Sequence, residues 1–381
     1  MKQENKIALT NGIAIFAMFF GSGNLIFPIA LGSTAGSHLI PVWLAFLLTG
    51  VGLPFLGVFT MTLFKGDYLK FFAPLSKVLA FLLITFLILV LGPLFVAPRT
   101  ETVTYGSFAV LFHESFIPHA IFSAIYFFLV FLILVKNTHF TEILGKLLGP
   151  LKIAMFVLLI LAALWAQHRI LPSDLSTHST IQLVTQSLTT GYNTMDLLAA
   201  FFFSGVIYQS ILIRCQKKNI DFDQHATSIN LKSCLVGAVL LALIYTGFFA
   251  ASWFHAADLQ GVSMVSVLST LSLVVFGPNG AWFVCICVSL TCLATAAALT
   301  EISSHYFEKV LFKNRVPRLY CLILTLVVMY AMSLLGFDKI MAIASPILNY
   351  LYPLLILYCL VRLGHLMLKK IKNNKELKTI S

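Results

Sequence analysis

The 381-residue chain is 59% hydrophobic and only 10% charged, against roughly 45–50% and about 25% for a soluble globular domain. With 34 phenylalanines and a mean hydropathy of +0.96, it has too little polar surface to cover a water-soluble fold. This excludes a disordered chain, a secreted disulfide scaffold and an ordinary cytosolic enzyme. The net charge of +11 would suggest nucleic acid in a soluble protein; here it reads as a topology signal, and the expected partner is the lipid bilayer, with no nucleic acid.

No Asp, Glu, Lys or Arg occurs between Lys6 and Lys65, room for two spans at about 20 residues each. The N-terminal apolar run follows a basic start without a small-residue cleavage site, so it reads as a retained first helix. Charge-poor gaps and turn residues predict about ten spans, near 8–31, 40–64, 78–98, 118–135, 152–167, 188–212, 232–253, 279–300, 318–336 and 341–364. Basic residues stay cytoplasmic during insertion. With both termini inside, 22 of the 25 Lys and Arg fall in cytoplasmic segments, and only Arg99, Arg169 and Lys339 in external ones. The segment 254–276, with Trp253 and His255 at its entry, Asp258 and Gly261, reads as an external re-entrant or surface hairpin. The seven cysteines lie in or beside apolar segments and read as small packing residues.

Ten spans divide into two sets of five, and an odd number per half inserts the second half upside down, the geometry of inverted-repeat transporters. The first span carries AMFFGSG at Ala17 to Gly23, and the sixth echoes it with AFFFSGV at Ala200 to Val206. Gly21 and Gly23 each lower helix stability by about 1 kcal/mol relative to Ala, and Pro28 cannot donate to the preceding turn. A break is therefore expected near mid-membrane, where freed N–H groups suit a carboxylate and freed carbonyls a small cation. A Gly-x-Gly packing surface would use the same residues; Asn24 beside the break, and the echo, favour binding.

In the sixth span Asp196 is the only acidic residue placed well inside a predicted span. A carboxylate there costs about 2.5 kcal/mol or more. It binds a coupling cation, exchanges a proton or positions an amine; alternatively it caps a half-helix or pairs with Asn193. In the eighth span Ser289, Thr291 and Thr295 offer hydroxyl oxygens to an alkali cation, and Thr291 and Thr295 share a helix face, although such residues also pack helices. The tenth span, with Pro346, Asn349 and Pro353, reads as bent. Histidine spacing supports no metal site, and no P-loop is present.

In order, FFGSGNLIFP (Phe19 to Pro28), GPLFVAPRT (Gly92 to Thr100), GYNTMDLLAA (Gly191 to Ala200), TCLATA (Thr291 to Ala296) and SPILNYLYP (Ser345 to Pro353) resemble the branched-chain amino acid:cation symporter family of bacteria. The resemblance runs over about residues 5–365. It implies an all-α integral membrane protein of LeuT-type fold: one transporter domain over 1–381, with inverted repeats at about 7–168 and 186–368 and broken first and sixth helices. It further implies a secondary active transporter rather than an enzyme. Such a protein imports leucine, isoleucine and valine by alternating access across the bacterial cytoplasmic (inner) membrane, with Na+ as the first candidate coupling ion and no other cofactor.

Carried over residue by residue, Gly21, Ser22, Gly23 and Asn24 form the first-span break, Phe202, Phe203, Ser204 and Gly205 the sixth-span wall around the substrate, and Thr295 a sodium ligand. Ala294 stands where the family usually has a second threonine. This removes a hydroxyl and leaves H+ coupling through Asp196 open. Proton-coupled or passive transport of other apolar amino acids, or a non-transporting receptor on the same fold, is the alternative. The family usually has about twelve spans; the ten read here contain the full five-plus-five core.

Overall fold

The computed structural model describes residues 2–112, 117–135, 149–166, 179–218, 220 and 222–380, and every regular element among them is helical. Hydrocarbon cannot hydrogen-bond an exposed backbone, so a spanning chain of this composition closes its N–H and C=O groups within helices. Six helices are long and apolar enough to cross a membrane, or seven if a bent pair at the N-terminus is one span. Three shorter apolar helices accompany them, His119–Val135, Ile153–Trp165 and Arg318–Ser333. Lys136, Lys146 and Arg169, used in the charge count, lie outside the described residues.

The bent pair is α1 (Lys2–Phe19) and α2 (Ser22–Thr34). The two are inclined by 78° and meet at Gly21, which is extended at φ −118°. Pro28 is carried inside α2. Next come α3 (Leu39–Leu47) and α4 (Leu53–Leu63), joined through a π-helical turn, then the short α5 (Tyr68–Phe72).

The third span departs from expectation. After α6 (Lys77–Leu89) and a π-helical turn containing Pro93, the chain continues as α7 (Val96–Phe112). Arg99 is therefore not in an external segment but 1% exposed within the protein, and Glu101 is a second buried acid beside Asp196. The polar run after Pro98 stays helical because its hydroxyls bond to their own helix: Thr100 Oγ1 to Ala97 O (2.6 Å), Thr102 Oγ1 to Arg99 O (2.9 Å), Thr104 Oγ1 to Thr100 O (2.8 Å) and Ser107 Oγ to Val103 O (2.8 Å). Self-satisfied hydroxyls need no water, so hydropathy alone ended this span too early.

The chain proceeds through α8 (His119–Val135), α9 (Gly149–Trp165), α10 (Thr180–Asn193), α11 (Asp196–Gln216) and α12 (Phe222–Phe254). The sixth span breaks between α10 and α11, where Met195 takes a left-handed conformation (φ 61°, ψ 17°). The echo residues Ser204 and Gly205 lie inside continuous α11, so the likeness to Gly21–Gly23 marks no second break. Residues 255–266 then form turns, and α13 (Val267–Tyr306) is itself interrupted at Gly277 (φ 70°) before Pro278. The expected hairpin over 254–276 thus takes the form of turns plus the first part of α13. Ser266 Oγ ties it to Gly106 O (3.2 Å) and a His255 ring nitrogen to Ala163 O (3.0 Å). The last helices are α14 (Arg318–Ser333) and α15 (Phe337–Ile380), which carries Pro346 and Pro353 without a break.

The packing is reciprocal: α1 and α2 lie on α12, α10 lies on α3, α11 on α4, and α7 on α13. Phenylalanine rings fill these seams, while Leu44, Phe128, Leu158, Leu243, Val327 and Leu357 point outward, an apolar rim suited to lipid. All seven cysteines are buried and none forms a disulfide, as expected of packing residues.

Close approach at the α2–α12 seam depends on Gly32, where a Cβ would strike the Phe249 carbonyl and the Ser252 hydroxyl. Backbone cannot yield as a side-chain tip can, and overpacking of this kind costs about 1–3 kcal/mol. Gly32→Val is expected to lower the melting temperature of the detergent-solubilised protein, measured by fluorescence-detected size exclusion after heating, whereas Gly364→Val, where a Cβ meets nothing within 4 Å, is expected to leave it unchanged.

Candidate functional site

Breaking a helix leaves orphan N–H groups at one new end and orphan carbonyls at the other. Here four such ends come together: the C-terminus of α1, the N-terminus of α2, the C-terminus of α10 and the N-terminus of α11. They surround a cavity of about 30 Å³ lined by Gly21, Ser22, Gly23, Asn24, Arg99 and Asp196, among others. That volume holds a water-sized group.

Asn24 joins the two breaks. Its Oδ1 accepts from Gly21 N–H (3.0 Å), capping the start of α2, and its Nδ2 donates to Asp196 Oδ2 (2.7 Å) and to the Tyr245 hydroxyl of α12. Tyr245, packed on Phe46 with ring centroids 5.1 Å apart, also donates to Asp196 Oδ2 (3.3 Å). Asp196 opens α11, where the positive end of the helix dipole favours a carboxylate. Its partners are Asn24 and Tyr245 rather than the Asn193 side chain.

Arg99 closes the carbonyl end of α10. Its Nη1 donates to Asn193 O (2.6 Å) and Nη2 to Thr194 O (3.4 Å), and its guanidinium lies over Phe27, 5.4 Å from the ring centre. A left-handed non-glycine residue costs about 1–2 kcal/mol, and these bonds hold the turn in which Met195 adopts that geometry. A Cβ on Gly23 would stand 2.8 Å from Arg99 Nη2, whereas one on Gly21 would meet Thr295 Oγ1 at 3.2 Å.

The expected site residues divide. Gly21, Ser22, Gly23, Asn24, Asp196, Phe203 and Thr295 all line the cavity. Thr295 Oγ1 donates to Thr291 O (3.0 Å), and Thr291, buried one turn away, donates to Cys287 O (2.8 Å) outside the lining. Phe202 packs against Tyr68 (5.4 Å), Ser204 bonds to Phe201 O (3.2 Å), and Gly205 faces Gly66, whose φ of +70° turns the α4–α5 loop against α11. Phe202 and Gly205 thus face the α4–α5 region, and with Ser204 they lie on sides of α11 other than the one that Asp196, Ala199 and Phe203 turn to the cavity.

Among the polar residues that escaped the sequence reading are Arg99, which lines the cavity, and Tyr245, which reaches it through Asp196. Arg99 had a signal, since it opens the PRTETVTYGS run of alternating hydroxyls after an apolar span. Tyr245 had none, being one tyrosine in an apolar helix. Three buried polar atoms around the breaks have no hydrogen-bond partner: Ser22 Oγ, Asn193 Oδ1 and Arg99 Nε.

A family model described as branched-chain amino acid transport protein matches residues 4–381. A protein of Staphylococcus aureus (strain MRSA252) named as a branched-chain amino acid carrier is 30% identical over 367 residues, covering 92% of this chain and 80% of that one. A similarly named protein of Staphylococcus saprophyticus is 29% identical over 366 residues, with the same coverage. Among solved structures, MhsT in complex with L-phenylalanine superposes with a TM-score of 0.61 at 17% identity, covering 88% of this chain and 85% of that one; this likeness concerns the fold.

If Gly23 is small because Arg99 lies against it, Gly23→Ala displaces the guanidinium from the α10 carbonyls, while Gly21→Ala asks only a few tenths of an ångström of Thr295. Gly23→Ala is expected to lower function about tenfold, equivalent to about 1.4 kcal/mol, at normal membrane abundance. Gly21→Ala is expected to have a smaller effect; uptake of labelled leucine into cells, corrected for protein amount by immunoblot, compares the two.

Proposed function

Because the chain belongs to the branched-chain amino acid transport protein family, we propose that it is a secondary transporter importing leucine, isoleucine and valine with a coupling cation, Na+ in the leading reading, by alternating access. The observation that carries this is the convergence of two helix breaks, at Gly21 and at Met195, on one cavity that holds both Arg99 and Asp196. The amino acid's carboxylate suits the free N–H groups at the start of α2 and the unpartnered Ser22 hydroxyl. Its apolar side chain suits Met18, Phe19, Leu91, Ala199, Phe203 and Leu299, which supply the rest of the lining. The cavity of about 30 Å³ has room for water-sized groups, and in alternating access the loading of an amino acid goes with movement of α1–α2 or α11.

A cation between the halves would take oxygens from the last carbonyls of α1, the Thr295 hydroxyl and the Asp196 carboxylate, all hard ligands. A second reading, H+ carried on Asp196, draws on Ala294, which leaves Thr295 as the only threonine lining that side. Counting the bent N-terminal pair and the three shorter apolar helices as spans gives ten. The reciprocal packing of α1–α2 on α12 and of α10–α11 on α3–α4 supports two inverted repeats, at about 7–168 and 186–368, of LeuT type. The basic residues support a bacterial cytoplasmic membrane location with both termini inside.

In proteoliposomes, labelled leucine should accumulate when an inward Na+ gradient is imposed; accumulation driven by an H+ gradient alone would move the coupling to Asp196. No gradient-driven uptake of any branched-chain amino acid would sink the transport reading. Asp196→Asn is expected to abolish concentrative uptake with membrane insertion intact. For orientation, green fluorescent protein fused at the C-terminus should fluoresce and alkaline phosphatase fused there should be inactive; the opposite pair would reverse the topology.

A further inference from the structure

One turn from the cavity, α7 buries a second carboxylate that transport as proposed does not use. Glu101 is fully buried, with its Oε2 lying 3.2 Å from Nε2 of His119 at the start of α8. The His119 side chain is 26% exposed and stacks beside Tyr105, with ring centroids 4.6 Å apart. His119 is thus the one member of the pair that meets the surface.

The surroundings offer little other charge. From α8 come His119, the buried Ser123 hydroxyl, a neutral donor beside the Glu101 carboxylate, and Tyr126, whose hydroxyl donates to Thr100 Oγ1 (3.0 Å). From α13 come the thiols of Cys285, which donates to Ser107 O (3.2 Å), and Cys292. Arg99 on α7 itself is directed to Asn193 and Thr194, and α2 meets α7 through Gly23 and Phe27 at that arginine. Among the described residues of α14, α15 and the turn before α7, no charged group acts on the Glu101 carboxylate.

A buried carboxylate whose sole charged partner is a histidine has a net charge that follows pH. With both groups ionised the pair is neutral. Loss of the imidazolium proton leaves one uncompensated negative charge; gain of a proton on the carboxylate leaves one positive charge and replaces the ionic contact. Both departures are unfavourable in hydrocarbon, and both weaken the seam between α7 and α8.

We propose that Glu101 and His119 form a proton-binding site, separate from the cavity, whose occupancy sets the pH dependence of the transport cycle. The proton comes from water at the exposed edge of His119 and returns there. On the acid side an oxygen lone pair of Glu101 takes up a proton from water and releases it again as pH rises, and on the alkaline side the imidazolium N–H bond of His119 breaks and gives a second proton to hydroxide, so no other reactant is needed. The two steps belong to the pair as macroscopic titrations. Their link to the cavity is α7: Arg99, two residues before Glu101, holds the carbonyl end of α10, so a shift of α7 against α8 moves the group that braces the sixth-span break. This link rests on the function proposed above; the proton site does not.

The test uses Glu101→Gln and His119→Gln in the full-length protein with two readouts. Leucine counterflow in proteoliposomes, at equal pH on both sides and fixed Na+, is expected to give a bell-shaped profile for the unaltered protein. Glu101→Gln should flatten the acid limb and keep counterflow at the best pH, whereas His119→Gln, which leaves the buried carboxylate unpaired, should remove the alkaline limb and move the optimum to lower pH. The melting temperature of the solubilised protein against pH should lose the corresponding limbs. Unchanged limbs in both readouts would overturn the site, and altered melting with unchanged counterflow would overturn its link to transport. Should Glu101→Gln fail to insert, the more exposed His119→Gln decides alone on the alkaline limb. Absence of counterflow in the unaltered protein would count against the transport reading only, with the melting profiles still deciding the proton site.

Discussion

The hydrogen bond from Asn24 Nδ2 to Asp196 Oδ2, 2.7 Å long between residues 172 apart in sequence, is the constraint around which the interior is arranged. Two spans are broken inside an apolar medium, and each break would leave backbone groups that cost several kcal/mol apiece if unmet. Asn24 meets one of them with its own oxygen, at Gly21 N–H, and with its nitrogen fixes the carboxylate that opens the other half-helix. One amide thereby registers the first span against the sixth. Tyr245 joins the same carboxylate from a third helix.

The third span completes this arrangement and makes it electrically tolerable. Arg99 satisfies the carbonyl end of α10 and brings a positive charge to the cavity that holds Asp196. Burying either charge alone would be expensive; burying both in one cavity, each with hydrogen bonds, offsets much of that penalty. The glycine at position 23 follows from the same geometry, since a Cβ would occupy the place of the guanidinium. The small cavity, its unpartnered hydroxyl at Ser22 and the strained turn at Met195 are thus properties of a braced pair of breaks. For a carrier, a braced but interrupted helix has a physical use: it can bend at a defined place without exposing a new set of backbone groups.

The two buried acids among the described residues have different companions. Asp196 has two neutral donors and shares its cavity with a cation that is always charged. Glu101 has a histidine at the edge of the protein. The charge opposite Asp196 is fixed, whereas the partner of Glu101 is itself titratable. Because both braces sit on α7, changes at one have a short mechanical route to the other, through a helix and not through a chain of loops.

Family membership, the apolar spans and the break at Gly21–Gly23 were legible in the sequence, because hydropathy, glycine and proline act on the chain within a few residues of themselves. Asp196 was legible for the same reason: a carboxylate in an apolar run is conspicuous whatever surrounds it. What lay beyond reach was every feature whose energy depends on a distant partner. The broken sixth helix was legible only as an expectation without a position: the echo residues Ser204 and Gly205 lie in unbroken α11, and the turn falls at Met195, where Arg99 can reach the freed carbonyls. Arg99 was assigned to an external segment because charge ends a hydropathic span, and the structure keeps it and Glu101 inside because other helices bring them partners. The sequence by itself determined the solvent and the places where the chain is weak. Only the tertiary structure decided which weaknesses become breaks and which charges are buried, since that depends on whether helices far apart in sequence can satisfy the exposed groups.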